Sequence, residues 1–402
     1  MKRIFAIVTA IGLIALPALG QFSHYSMYGF GIASPVQPVR SLGLGLTGAA
    51  LPDSISLNSV NPALWTNFVS TSLQGQMYFS NIAVPNLDYT TNFGRFVGFA
   101  FKFPIGKKIG IGLGLNPVTR MDANRTFIDT LLFDGIKISS QSDLLLTGGI
   151  SEFFLGGGFR LSPYLNLGAK ARFLLGNYVV NYNTTLSGTN KVYSYWQMNS
   201  VVKGTSLEVG SLWNVPRTHL TMAFTFDKNL KFSYQKSIDY SYGPDTTAPS
   251  RPLAYPGTLR LALTNKFSNF LRLNLEWHYT YTDHSVFQDF YLFTPVKWQN
   301  AQYIGVGIEL TPVIDEKHPE ISRFAYRFGL YYRTEPVYWA GTQISERGLT
   351  AGIGLPIFND LNRIDFALTY GLRKGFLSNE KFFTLSCGLT TGELWFLKYK
   401  RR

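Results

Sequence analysis

The chain predicts an all-β fold: a transmembrane antiparallel β-barrel of about 14 strands with an N-terminal plug in its lumen. Three observations carry this. Charged residues are only 15% of the sequence, against the roughly 25% of soluble domains, and aromatic residues, mostly Tyr and Phe, match them at 15%. From Ser72 onward apolar and small or polar residues alternate with period two, the pattern of strands that show one face to lipid and one to a polar interior. Past residue 20, no apolar run reaches the ~18 residues of a membrane helix, so a membrane-spanning chain of this kind has to be a closed barrel.

The first element, residues 1–20, reads as a cleaved secretion signal. Lys2 and Arg3 form the basic start, Ile4 to Leu16 the apolar core, and Ala18-Leu19-Gly20 the small-residue cleavage site, leaving Gln21 as the mature N-terminus. Cys is absent from the cleavage region, which excludes a lipoprotein anchor. Residues 21–70 show little strand periodicity. They hold Gly43, Gly45 and Gly48 near Arg40 and the tripeptide Asn61-Pro62-Ala63 near their end. The glycines spell GxGxxG, yet the preceding strand, following helix and later acidic residue of a dinucleotide site are missing, and Pro35, Pro38 and Pro52 interrupt the context. The interspersed leucines make the segment too apolar for a free linker.

Residues 71–396 are the predicted barrel. Ile109, Ile111, Leu113 and Leu115 alternate with Gly110, Gly112 and Gly114, and Leu271, Leu273, Leu275, Trp277 and Tyr279 with Arg272, Asn274, Glu276 and His278. Similar alternation recurs over 304–310, 324–330 and 364–370. Short connections at Pro104–Lys107, Ser162–Tyr164, Asn214–Arg217, Lys266–Asn269, Thr311–Glu320 and Pro356–Asp360 interleave with longer ones at Ala83–Gly94, Met121–Ser140, Asn181–Ser200, Asp239–Ala254, Asp283–Asn300, Thr334–Ser345 and Lys374–Glu380. Short periplasmic turns and long external loops give this parity, provided that His219–Ile238 is one strand with a local break at Asp227-Lys228-Asn229. A barrel of this size is too wide for wall side chains to fill, and the segment before residue 71 is the available filler.

The Gly-rich run, the Asn61-Pro62-Ala63 turn and the strand train behind a secretion signal resemble the FadL-type family of outer-membrane transport proteins. That resemblance implies a 14-stranded barrel whose N-terminal hatch closes it from the periplasmic side, in the bacterial outer membrane. The ending, Trp395-Phe396 followed by a basic extension at 397–402, resembles the PorV/PorQ-like branch of the same superfamily, which serves protein secretion. The resemblance implies a passive channel for hydrophobic solutes such as long-chain fatty acids, with a hydrophobic small molecule in the lumen; its PorV-like side implies a barrel that docks a secretion-system protein.

No enzyme chemistry is expected. His278 and His284 have no third or fourth ligand for a metal, His24, His219 and His318 stand apart from any nucleophile, and GxSxG is absent. Cys387 is alone, so no internal disulfide or cysteine-based metal site forms, and no cofactor is expected. The net charge of +13 lacks a clustered reader motif, which argues against nucleic acid and leaves membrane lipid and lipopolysaccharide phosphates as the anionic neighbours. Arg272, Glu276, Glu309, Arg323 and Arg327 are predicted to face the lumen as an ion-pair ladder or a polar track. Gly110, Gly112 and Gly114 leave one inward strip bare, and Pro117 marks a bend there. The hatch backbone is expected to pack on the strip, and by the resemblance a bend there opens a lateral path into the membrane. The aromatic loop Asp283–Asn300 is a candidate for capture of an apolar ligand, or part of an interfacial girdle.

Overall fold

Fourteen antiparallel strands close into a barrel in the computed structural model, which describes residues 23–133, 136–187, 191–282, 297–311, 320–357 and 359–393. The predicted signal peptide, Trp395, Phe396, the basic tail, His284, His318 and most of the Asp283–Asn300 loop lie outside the described residues. The strands are β1 Thr71–Val84, β2 Tyr89–Ile105, β3 in two segments Ile109–Pro117 and Thr119–Phe133, β4 Ile136–Arg160, β5 Leu165–Ser187, β6 Lys191–Asn214 and β7 Leu220–Tyr240. They continue as β8 Gly257–Lys266, β9 Leu271–Tyr281, β10 Ala301–Leu310, β11 Ala325–Trp339, β12 Thr342–Ile357, β13 Asn359–Lys374 and β14 Glu380–Glu393. β14 pairs with β1 from Lys381↔Ala83 to Glu393↔Thr71, which closes the ring.

The period-two pattern sorts the side chains as the sequence requires. Leu275, Ile308, Phe328, Leu349 and Leu368 point out and are exposed, while Glu276, Glu309, Arg327, Thr350 and Ala367 beside them are buried inside. Such a ring of exposed apolar side chains suits hydrocarbon as its solvent. Trp213, Tyr164, Phe267 and Phe270 ring the short-turn end, and Tyr332, Tyr370 and Phe383 sit toward the other, as interfacial girdles do.

The wall is taller on one side. β4, β5 and β6 run for 25, 23 and 24 residues, whereas ~9–11 tilted residues cross the hydrocarbon. The outward face of β5 is apolar through Phe173 and Leu175, then changes to Asn177, Asn181 and Asn183. The excess, rising ~3.3 Å per residue along tilted strands, lifts a five-stranded sheet roughly 25 Å above the apolar band. This corrects the sequence reading of the external ends. Met121–Ser140, Asn181–Ser200, Thr334–Ser345 and Ala83–Gly94 are mostly ladder, with pairs such as Asp129↔Ser140, Asn183↔Tyr195, Tyr338↔Gln343 and Ala83↔Thr90. Above the lipid the inner face keeps apolar residues, among them Leu144, Leu146, Val180 and Met198, while the outer face takes up Asn177, Asn181 and Asn183, so the lipid-facing signature fades while the backbone pairing continues. β7 is continuous, with a register shift opposite Thr205/Ser206 just beyond Asp227-Lys228-Asn229.

β3 is interrupted at Val118. Its first segment pairs with β2 up to Phe99↔Leu115 and with β4; its second pairs with β4, and its start takes the two-residue strand Ile32–Ala33 as a partner, Ile32↔Arg120 and Ala33↔Thr119. An Arg95–Asp122 ion pair at 3.0 Å links β2 to the second segment.

Candidate functional site

Residues 23–70 run through the lumen in two parts with different attachments. The part from Arg40 to Phe68 is held by backbone seats and buried charge. Asn61 caps a 3-10 turn, Pro62–Asn67: its side chain accepts from Ala63 N at 3.0 Å and donates to Ala49 O at 2.7 Å, and Pro62 suits the first turn because it has no N–H to satisfy. This turn rests on a row of glycines in register across four strands: Gly110↔Gly158, Gly158↔Gly168 and Gly168↔Gly210. A Cβ on Gly110 would sit 1.9 Å from Trp65 O, on Gly158 2.5 Å from Pro62 O, on Gly168 2.4 Å from Ala63 N, and on Gly210 2.2 Å from Asn61 Oδ1. Only glycine lets the two backbones approach so closely.

A second seat receives the Gly-rich run. Gly43 lies over Gly352, and Leu44 and Gly45 over Gly307 and Gly329, which are paired neighbours on β10 and β11. Gly45 has φ +65 and donates to Thr350 Oγ1 at 2.7 Å, and the Tyr303 hydroxyl donates to Gly45 O. Gly48 N and Ala49 N both donate to Glu276, at 2.5 and 2.9 Å, with His278 on the other carboxylate oxygen and stacked on Tyr303. Of the bare strip, Gly110 and Gly112 face this part of the chain, Gly112 against Leu57 and the Trp65 ring; Gly114 instead accommodates Phe154 of the neighbouring strand.

Charge closes the attachment. Arg40 binds Glu309 (2.7 Å) and Asp53 (3.0 Å), Arg327 joins Glu309 (3.0 Å) to Asp365 (2.6 Å), and Arg363 joins Asp365 (2.7 Å) back to Asp53 (2.8 Å). The result is a closed ring of six buried ions, to which Arg272 adds at 2.9 Å from Glu309. Burial pushes the Asp53 carboxyl up, but Arg363 and Arg40 outweigh it and hold it well below the usual carboxylate range. A depressed carboxylate stabilises the fold above its unfolded value and loses that contribution only as pH falls through its folded one, so Asp53 stays charged in mild acid. Of the sequence-predicted polar track, Arg272, Glu309 and Arg327 meet here and Glu276 lies on the Gly48 amides. Arg323 does not join them: it is exposed on the 3-10 turn Glu320–Arg323, where strand periodicity has not yet begun. Arg40, Asp53, Arg363 and Asp365 escaped sequence reasoning because they are scattered along the chain and no motif links them.

Arg40→Met leaves Asp53 and Glu309 each short of a partner in a dry setting, and is expected to destabilise the folded barrel by ~3 kcal/mol. Urea unfolding in micelles, with hydrogen exchange at Gly45 and Gly48, measures this.

The other part, Ser23 to Val36, is tied at its start to the Glu380 carboxylate and from Ser26 onward by neutral hydrogen bonds. Ser23 Oγ and His24 N donate to Glu380, Ser26 Oγ donates to Asp122 O, Tyr178 OH donates to Phe30 O, and Ser34 N donates to Val118 O, all between 2.6 and 3.0 Å. His24 is packed beside Arg125 and edge-on to Tyr89, while His219 is exposed at a short turn. This strap separates two cavities. One, ≈ 250 Å³, is lined by Tyr28, Phe30, Tyr255 and Trp298 with Arg172, Asp227, Arg260 and Glu335, and reaches Val118 and Thr119. The other, ≈ 180 Å³, lies among Tyr78, Phe93, Tyr331, Arg333, Glu346 and Phe382. Ile32, Ala33, Ser34 and Val36 line both.

Several solved structures share this architecture. A Pseudomonas aeruginosa FadL homologue superposes with a TM-score of 0.62 at 15% identity, over 90% of this chain and 99% of that one. The CymD monoaromatic hydrocarbon channel gives 0.57 at 14% identity, over 91% and 99%. The toluene transporter TbuX of Ralstonia pickettii gives 0.55 at 15% identity, over 92% and 99%. At such identity the likeness establishes the fold alone, a FadL-type β-barrel. No curated protein matches the sequence. The family model described as BamG matches residues 1–401, and the chain therefore belongs to the BamG family.

Proposed function

We propose that the chain is a bacterial outer-membrane channel for passive uptake of hydrophobic solutes, with long-chain fatty acids as one class of cargo. The observation that carries this reading is the strap: Ile32–Val36 divides an aromatic-lined cavity from its neighbour and is hydrogen-bonded to β3 at the point where that strand is interrupted. Solute enters from outside, rests against Phe30, Tyr255 and Trp298, and displaces the strap rather than the clamped remainder of the plug. Moving Ile32–Ala33 off Thr119–Arg120 joins the two cavities and frees the edge of the interrupted strand, a lateral exit into the membrane. Neutral backbone bonds in the strap exchange more readily for water than buried ion pairs do. Passage runs downhill.

A second reading is a barrel that passes no solute and docks a secreted protein or a secretion machine, as the PorV-like ending suggests. The double glycine seat and the ion ring favour it, because they make most of the plug a fixed floor. One experiment separates the two. The detergent-purified chain is extracted for lumenal lipid, and uptake of labelled oleate and toluene is compared in cells with and without the protein. Uptake that falls about tenfold on deletion, with an apolar ligand in the purified barrel, supports the channel. Unchanged uptake with an empty lumen and a copurifying protein overturns it.

A further inference from the structure

The outer face of the barrel carries a feature that the transport reading does not use. Lys203 on β6 and Lys228 and Lys231 on β7 point outward and are exposed. Lys228 lies opposite Leu207, Lys231 opposite Thr205, and Lys203 between Leu175 and Ser233. Leu207 and Leu175 are lipid-facing, 41% and 59% exposed. The lysines thus mark the upper edge of the apolar band, on one side of the ring. The nearby carboxylates Glu208 and Asp227 point inward, bound to Lys170 and Arg172. No carboxylate among the described residues pairs with the three lysines.

Directly above them stands the tall sheet, whose outer face is rich in amides. Asn181 is paired with Gln197, Asn183 with Tyr195, and Gln235 sits opposite Val201. A flat array of amides offers donors and acceptors at sugar spacing, and a tyrosine ring packs on the C–H face of a pyranose. Lysines at the headgroup level attract phosphate.

We propose that this face is a binding site for a phosphorylated glycolipid of the outer leaflet. Its phosphates sit on Lys203, Lys228 and Lys231, its sugars lie against the amide-rich sheet, and its acyl chains follow the apolar band. An acidic protein is the poorer fit, since the lysines lie where headgroups already stand. The site is separate from the strap and the cavities, and holds whichever of the two functional readings is correct.

Native mass spectrometry of the full chain in micelles, titrated with diphosphorylated lipid A, its dephosphorylated form and phosphatidylglycerol, tests this. Diphosphorylated lipid A is expected to bind about tenfold more tightly than either comparison lipid, and to weaken about tenfold as salt rises from ~50 to ~500 mM. The combined Lys203→Gln, Lys228→Gln and Lys231→Gln variant should fall to the level of the dephosphorylated lipid. Asn181→Ala with Gln197→Ala should weaken lipid A and leave phosphatidylglycerol unchanged. Heat-modifiable gel migration checks folding, and the salt series on the unmodified protein stands if a variant fails to fold. Equal binding of phosphatidylglycerol and lipid A, salt-independent binding, or a triple-Gln variant that retains lipid A within about twofold overturns the proposal.

Discussion

Gly110→Ala is expected to unseat the Asn61–Phe68 turn, whereas Gly112→Ala, two residues along the same strand, is expected to be mild. The added atom is identical; what it meets is not. On Gly110 it lands 1.9 Å from Trp65 O and 2.6 Å from Trp65 C, both backbone, beneath a turn whose other seats at Gly158, Gly168 and Gly210 leave it nowhere to move. On Gly112 it meets the Leu57 Cδ1 methyl at 2.5 Å, the end of a side chain that has other rotamers, and the Trp65 ring at 3.1 Å. Overpacking against fixed backbone costs about 2–3 kcal/mol, or some 30- to 150-fold in a local opening equilibrium. Hydrogen exchange of Leu64 N and Phe68 N, which bond to Asn61 O and Trp65 O, is the readout. The ordering fails if both variants lose protection equally, or if Gly112→Ala loses more.

The second large effect is on the strap. Ala33 and Thr119 are register partners in the short ladder to β3, so cysteines at both fall within disulfide reach. Ala33→Cys with Thr119→Cys, on a Cys387→Ser background, is expected to cut solute uptake by about tenfold or more when oxidised and to restore it on reduction. The same pair leaves the ion ring and both glycine seats untouched. Oxidised protein that still transports at the full rate removes the strap from the pathway. Equal loss in the reduced and oxidised forms points to damage by the substitutions themselves.

Much of this architecture was legible in the residues, and what was hidden is hidden for definite reasons. Alternation such as Leu271 to Tyr279 marks strands wherever lipid lies outside and polar groups inside, and the parity of the turns gives their number. The height of β4 to β7 was not legible, because once Asn177, Asn181 and Asn183 replace Phe173 and Leu175 on the outer face, a paired strand reads like a loop. The glycines at 110, 158, 168 and 210 are visible one by one, yet their alignment depends on cross-strand register, which no local pattern encodes. Arg272, Glu309 and Arg327 could be placed inward from period two alone. Their partners Arg40 and Asp53 lie in a segment without periodicity, and Arg323 misled because the inward parity was extended into a stretch that forms a 3-10 turn.

The ring of ions also has a consequence for the order of events at birth. Arg40 and Asp53 leave the ribosome among the first residues, while Arg363 and Asp365, which complete the circuit, arrive among the last. Until then Arg40 and Asp53 have each other and Glu309, but the circuit back through the thirteenth strand stays open. The fastening of the plug is thus completed only with the thirteenth strand, and a chain truncated before Arg363 should hold Arg40 and Asp53 more loosely than the full one.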